Sequence, residues 1–139
     1  MLNPNSIIDI SDLIGAPFID NGYGFKDGGF HCWGLVWEIY RRLGISLVKT
    51  NVSCYNIPEI DLTIKEEQKN WTKIDRPNLY SVILMRMNTP KIHNHLGVYI
   101  GNNKFIHSRE GVGVCVDSLS SPLWKNNIRG FYEYNHSPK

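Results

Sequence analysis

The chain has 139 residues, which fits one domain, and we treat residues 1–139 as a single domain. Its hydrophobic fraction of 42% and charged fraction of 20% exclude a disordered, collagen-like or coiled-coil protein. The formal net charge of +2 is too small for the footprint of a nucleic-acid or membrane partner, so neither is expected.

The first half of the sequence indicates helices. Apolar residues recur at helical spacing from Ser6 to Ile14, where a first short helix is expected. A glycine-rich loop, Asp20 to Gly29, leads to the clearest helix, Trp33 to Leu43, and Gly44 provides its stop signal. Residues Ile60 to Asn70 contain helix formers but have a weak apolar face, so their structure is left open.

From Ser81 onward the pattern indicates strands. Gly101-Asn102-Asn103 lies between two apolar runs and predicts a hairpin. Helices followed by antiparallel strands predict an α+β fold, with the helices packed on one side of a sheet of about five strands. The predicted strands are Val82–Met85, Leu96–Ile100, Lys104–His107, Val112–Val116 and Ile128–Tyr134.

Cys32 is the first candidate for chemistry, because it lies at the start of the clearest helix. Unpaired N–H groups and the helix dipole favour negative charge there, so we expect the pKa of this thiol to be lowered. The same N–H groups could bind a developing oxyanion. The alternative is a buried structural cysteine. Cys54 and Cys115 have no histidine at useful spacing and are interpreted as packing residues.

A thiolate nucleophile needs a base and a group that orients the base. His95 and His107 lie on the two strands of the predicted hairpin, but their side chains can meet only on one face. A clean two-residue turn at Asn102-Asn103 would place them on opposite faces. A three-residue loop or a bulge, for which Gly101 or Gly97 is the favoured place, would make them diagonal neighbours roughly 7–8 Å apart.

Other histidines leave alternatives open. His93 lies two residues before His95 and is the competing base, whereas His31 directly precedes Cys32 and could perturb its thiol. Both strand histidines could also be ordinary half-exposed residues. His136 lies in a polar tail and is expected to have no role.

Two segments resemble a known family. His31-Cys32-Trp33-Gly34-Leu35-Val36 resembles the Asp-Cys-x-Gly-Leu-Val nucleophile motif of NlpC-type cell-wall cysteine peptidases. The segment from His95 to Ser108 resembles that family's base strand, turn and third-residue strand, with the family's twelve-residue step to His107. This spacing selects His95 over His93. The resemblance extends from about Leu13 to Tyr134, and several stretches are similar to the version found in bacteriophage tails and prophages.

The resemblance implies a papain-like cysteine peptidase fold and cleavage of peptidoglycan stem peptides between γ-D-glutamyl and a diamino acid. Cys32 would be the nucleophile, His95 the general base and His107 the residue that orients the base, with no metal or other cofactor. His31 replaces the usual aspartate. Phe18 replaces a tyrosine of the substrate site, and the hydroxyl of Tyr23 is the candidate to substitute for it. His31, Tyr23 and Trp33 are therefore the expected substrate-binding residues.

The expected context is local opening of the cell wall by a phage or prophage tail, with phage tail proteins as possible partners. The sequence has no secretory signal at its start, so synthesis in the cytoplasm and delivery within a virion or tail is expected. The alternatives are a catalytically silent structural tail or wall-binding protein, and a delivered antibacterial toxin with the same chemistry.

Overall fold

The computed structural model describes residues 7–53, 56–86 and 94–135. It contains two α-helices, α1 (Cys32–Arg42) and α2 (Ile57–Glu67). Short 3₁₀ turns occur at Ser11–Leu13, Phe25–Asp27 and Gln68–Asn70. The strands are β1 (Tyr23–Gly24), β2 (Gly29–Phe30), β3 (Trp71–Ile74), β4 (Val82–Arg86), β5 (Asn94–Gly101), β6 (Lys104–Arg109), β7 (Gly113–Ser118) and β8 (Ile128–Tyr134).

Six of these strands form one antiparallel sheet in the order β3-β8-β4-β5-β6-β7. Strands β1 and β2 pair separately, within the segment expected to be only a glycine-rich loop. The α+β layout and all five predicted strands are confirmed. The sixth, β3, was not predicted, because it is a four-residue edge strand whose centre is the polar pair Thr72-Lys73.

Helix α1 packs on one face of the sheet. Its residues Leu35, Val36 and Ile39 are buried against Val98 and Ile106 of β5 and β6. Burial of one apolar helix face is the main stabilising contribution to a helix of this length. The helix ends at Arg42, and Gly44, two residues later, has a φ of +85°, a conformation that glycine adopts without strain.

The first predicted helix, Ser6 to Ile14, is wrong. Within its described part the chain forms only the 3₁₀ turn Ser11–Leu13. The Asp9 carboxylate accepts hydrogen bonds from the Ser11 N–H at 2.9 Å and from the Ser11 hydroxyl at 2.6 Å. Such local side-chain bonds compete with the helical hydrogen-bond pattern and favour a turn.

The uncertain segment Ile60 to Asn70 is helical up to Glu67 and continues as a 3₁₀ turn. Across the three described ranges, neither helix is long and apolar enough to cross a bilayer.

Candidate active site

Cys32 is the first residue of α1, and His31 occupies the N-cap position before it. His31 Nδ1 lies 2.8 Å from the Gly22 carbonyl oxygen and 3.1 Å from the Gly34 nitrogen. Because a carbonyl oxygen only accepts, Nδ1 carries its proton and donates to Gly22, and it is then not an acceptor for the Gly34 N–H. Only glycine fits at position 34, because a Cβ atom there would lie 1.8 Å from the Gly22 carbonyl oxygen. The backbone N–H and the imidazole of His31 both donate to the Gly22 carbonyl, which fixes the start of the helix against the preceding loop.

The sulfur of Cys32 is surrounded by backbone donors. The N–H groups of Leu96, Trp33 and Cys32 itself act on it and lower the pKa of the thiol. Cys32 is partly exposed at the cavity, yet desolvation by the surrounding chain has the larger, opposite effect and raises that pKa to about 11. The expected lowering of the Cys32 pKa is therefore wrong for this structure, because loss of thiolate hydration outweighs the helix terminus and its N–H groups.

The sulfur lies where two strands of the sheet separate. The backbone N–H and C=O of Tyr99 both bond toward the β4 side, so the N–H of Leu96, three residues earlier, points toward β6. Pairing between β5 and β6 extends only as far as Val98–Ile106. The N–H of Leu96 lies beyond the described β5–β6 pairs, and it acts on the Cys32 sulfur.

The two hairpin histidines share a face, as predicted. The turn is a two-residue one at Asn102-Asn103, but Ile100 is an extra residue between the pairs Tyr99–Phe105 and Gly101–Lys104. Gly101 has a φ of +89°, so the predicted bulge and its glycine are confirmed. As a result His95 Nε2 lies 2.7 Å from His107 Nδ1.

Both imidazoles are buried beneath Trp124. Its ring stacks on His95, with 5.8 Å between ring centroids, and meets His107 edge-on at 4.9 Å. Burial lowers the pKa of His107 to about 4 and lowers that of His95 well below its ordinary value, so both rings are neutral near pH 7. Within the described part of the chain, His107 is the hydrogen-bond partner of His95, and Cys32 is not hydrogen-bonded to either histidine.

Sequence reasoning missed two residues of this cluster. Cys115 lies directly opposite His107 in the β6–β7 pair, so the inference that it has no histidine at useful spacing is wrong. Asp117, two residues further along β7, places Oδ2 at 2.6 Å from His107 Nε2. The donor atoms of these three residues lie within 4.8 Å of one another, close enough to share a metal ion only if the His107–Asp117 hydrogen bond opened. No spacing in the sequence indicated this β6–β7 register.

A cavity of about 560 Å³ opens beside Cys32, between the start of α1, helix α2 and strands β4 and β5. Trp33 and His31 line it, although the His31 side chain is buried and donates to the Gly22 carbonyl oxygen. Tyr23 is not among the lining residues. Its hydroxyl donates to the Thr50 carbonyl at 3.0 Å and accepts from the Thr50 N–H at 2.8 Å. The expected substrate contact through Tyr23 therefore finds no support in this geometry.

Three residues considered from the sequence, Cys54, His93 and His136, lie outside the described residues. The selection of His95 over His93 therefore still depends on spacing, although His95 is the one seen to pair with His107.

Comparison with known proteins supports one family. Residues 15–133 match the model of the NlpC/P60 family. The murein DD-endopeptidase MepS/murein LD-carboxypeptidase of Escherichia coli strain K12 is 29% identical over 103 residues, which are 73% of this chain and 48% of that protein. The peptidoglycan DL-endopeptidase CwlO of Bacillus licheniformis is 40% identical over 47 residues, or 34% of this chain and 10% of that protein. The chain thus matches about half the length of the first relative and a smaller share of the second.

Solved structures agree on the fold. A lipoprotein-like NLP/P60 family protein from Staphylococcus aureus superposes with a TM-score of 0.66 at 20% identity. The match covers 91% of this chain and 39% of that one.

Proposed function

The chain belongs to the NlpC/P60 family, and from that premise we propose that it is a cysteine peptidase that hydrolyses peptidoglycan peptides. The observation that carries the proposal is the His95–His107 pair, held at 2.7 Å, in which His95 directly precedes Leu96, the residue whose N–H acts on the Cys32 sulfur. A nucleophile, a base and a group that orients the base are the minimum set for this chemistry.

In the proposed mechanism, the Cys32 sulfur attacks the carbonyl carbon of the scissile amide while its proton passes to His95. The N–H groups of Leu96, Trp33 and Cys32, which act on the sulfur, would bind the resulting oxyanion. His95 then protonates the departing amine, leaving a thioester on Cys32. Water, deprotonated by His95, hydrolyses this thioester and restores the thiol. Because the resting thiol and imidazole are both neutral, the mechanism uses general-base catalysis rather than a preformed ion pair.

The proposed substrate is the peptide stem, cut between γ-D-glutamyl and a diamino acid. Its support is the sequence resemblance and the mixed lining of the cavity, where apolar Trp33 and Leu96 occur with Glu67 and Lys69. A stem peptide carries both carboxylates and an amine, so both signs of charge in the cavity are compatible with it. The relatives are named for two different bonds, DD and DL, so the bond must be measured.

Defined muropeptides test this proposal. An uncross-linked tetrapeptide monomer contains the γ-D-glutamyl–diamino acid bond, whereas a cross-linked dimer adds the bond between two stems. Mass spectrometry should show the monomer cleaved by the wild type and intact with the isosteric variant Cys32→Ser. Cleavage of the dimer into intact monomers would contradict the proposed bond but retain the peptidase. Binding of the muropeptides without any product would contradict the peptidase and favour a silent wall-binding protein.

We also propose that the enzyme acts with a phage or prophage tail. The support is the similarity of stretches such as Leu13-Ile14-Gly15-Ala16-Pro17-Phe18 to the tail-associated version of the family. Mass spectrometry of particles purified after prophage induction should find the protein in fixed ratio to the tail proteins. Its recovery only outside intact particles would contradict this context.

A further inference from the structure

Asp117 extends the histidine pair into a line of three side chains. Its Oδ2 lies 2.6 Å from His107 Nε2, and His107 Nδ1 lies 2.7 Å from His95 Nε2. The Asp117 side chain is 29% exposed, whereas that of His107 is fully buried. The line therefore begins at a carboxylate that water can reach and ends at the proposed base.

Without Asp117, the protons of the two imidazoles could be arranged in two ways. Each neutral imidazole carries one N–H, on either nitrogen. The bond between His95 and His107 can then be donated by either ring, and its distance is the same in both cases. The histidine pair alone thus leaves undecided which nitrogen of His95 carries the proton.

The carboxylate removes this ambiguity, because an ionised carboxylate only accepts hydrogen bonds. At 2.6 Å, His107 Nε2 must carry its proton and donate it to Asp117. His107 Nδ1 is then unprotonated and accepts from His95 Nε2–H. This leaves His95 Nδ1 without a proton, which is the state that a general base requires.

We propose that Asp117 is a positioning residue that fixes the tautomers of both histidines and so keeps His95 Nδ1 free to accept the Cys32 proton. The catalytic part of this statement rests on the proposed function. In the opposite arrangement, His107 donates from Nδ1 and His95 holds its proton on Nδ1, where it cannot act as the base. Arg109, the other charged group that acts on both histidines, cannot replace Asp117, because a guanidinium only donates.

The test uses ¹⁵N-histidine NMR of the full chain near pH 7, where long-range N–H couplings distinguish the two tautomers. The variants are Asp117→Ala, Asp117→Asn and, as the matched control, Asp12→Ala. The control also removes a carboxylate from a close polar pair, because Asp12 binds Arg42 at 2.7 Å, but among the described residues Asp12 makes no hydrogen bond to either histidine. Muropeptide hydrolysis is measured on the same samples.

The wild type and the Asp12 variant should show His95 protonated at Nε2. Asp117→Ala should shift His95 toward the Nδ1–H form and lower kcat on the order of 10–100-fold, with KM nearly unchanged. Asp117→Asn can accept or donate, and its kcat should follow whichever tautomer the spectrum shows. Unchanged tautomers after loss of the carboxylate would overturn the proposal, as would a variant with the wild-type tautomer and no activity.

The NMR result needs no substrate, so the two proposals can fail separately. A wild type that cleaves no muropeptide, but whose tautomers shift on removal of Asp117, would reject only the peptidase and the catalytic part of the inference. A peptidase whose tautomers ignore Asp117 would reject only the positioning role.

Discussion

Moderate acid should destabilise the protein through its buried histidines. Burial lowers the pKa of His107 to about 4, whereas an unfolded histidine titrates near about 6.5. The unfolded state therefore binds more protons below this value, so stability present above about pH 6.5 is lost as the pH falls toward about 4. Between about pH 7.5 and about pH 5, His107 alone should lower the free energy of unfolding by about 2 kcal/mol.

His95 acts in the same direction, because burial and the neighbouring His107 lower its pKa well below the ordinary value. Urea unfolding, followed by tryptophan fluorescence, would give the free energy of unfolding at several pH values in this range. His107→Asn removes one titrating ring and should reduce the pH dependence by about 2 kcal/mol. A wild-type stability that is flat across the range, or a variant with an unchanged slope, would refute the reasoning.

Three further predictions concern single side chains. Burial raises the pKa of Cys32 to about 11, so its alkylation rate should still rise with pH beyond about pH 9. Peptide mass spectrometry measures this rate, and a rate that reaches a plateau below about pH 8 would contradict the raised pKa. Gly101→Val and the control Gly44→Val both place valine at positive φ, and each should lower the free energy of unfolding in urea by about 1–2 kcal/mol. Only Gly101→Val should slow muropeptide hydrolysis, and equal losses of activity in the two variants would argue against a role for the bulge. Tyr23→Phe should destabilise the fold by about 1–3 kcal/mol through its lost hydrogen bonds while leaving KM for muropeptides unchanged, and a large rise in KM would restore Tyr23 as a substrate contact.

Much of the fold could be predicted because its strongest elements carry local signals. Helix α1 has apolar residues at helical spacing and a glycine stop, and β8 has the predicted bounds Ile128–Tyr134. The bulge at Gly101 followed from alternation alone, given that His95 and His107 must meet. Where the sequence pattern agrees with the tertiary packing, local reasoning is sufficient.

The rest depends on contacts between distant segments. The contact of Asp117 with His107 requires the β6–β7 register. Two glycines at positive φ accompany this register, Gly111 in the connecting turn and Gly113 at the start of β7. The pKa of Cys32 depends on how deeply its sulfur is buried, a property of the assembled site rather than of a helix start. Neither the Asp117–His107 contact nor the pKa of Cys32 can be predicted from the spacing of residues along one helix or strand.

The bulge in β5 also limits how the hairpin can change in length. Deletion of Ile100 would remove the bulge and restore regular pairing between β5 and β6. The side chains of one strand would then point to the opposite face from those that they now accompany on the other strand, and His95 and His107 would be separated. A single inserted residue would have the same effect, whereas two inserted residues at the turn would lengthen the loop and preserve the facing of the histidines. Length variants of this hairpin that retain the histidine pair should therefore differ from this chain by even numbers of residues.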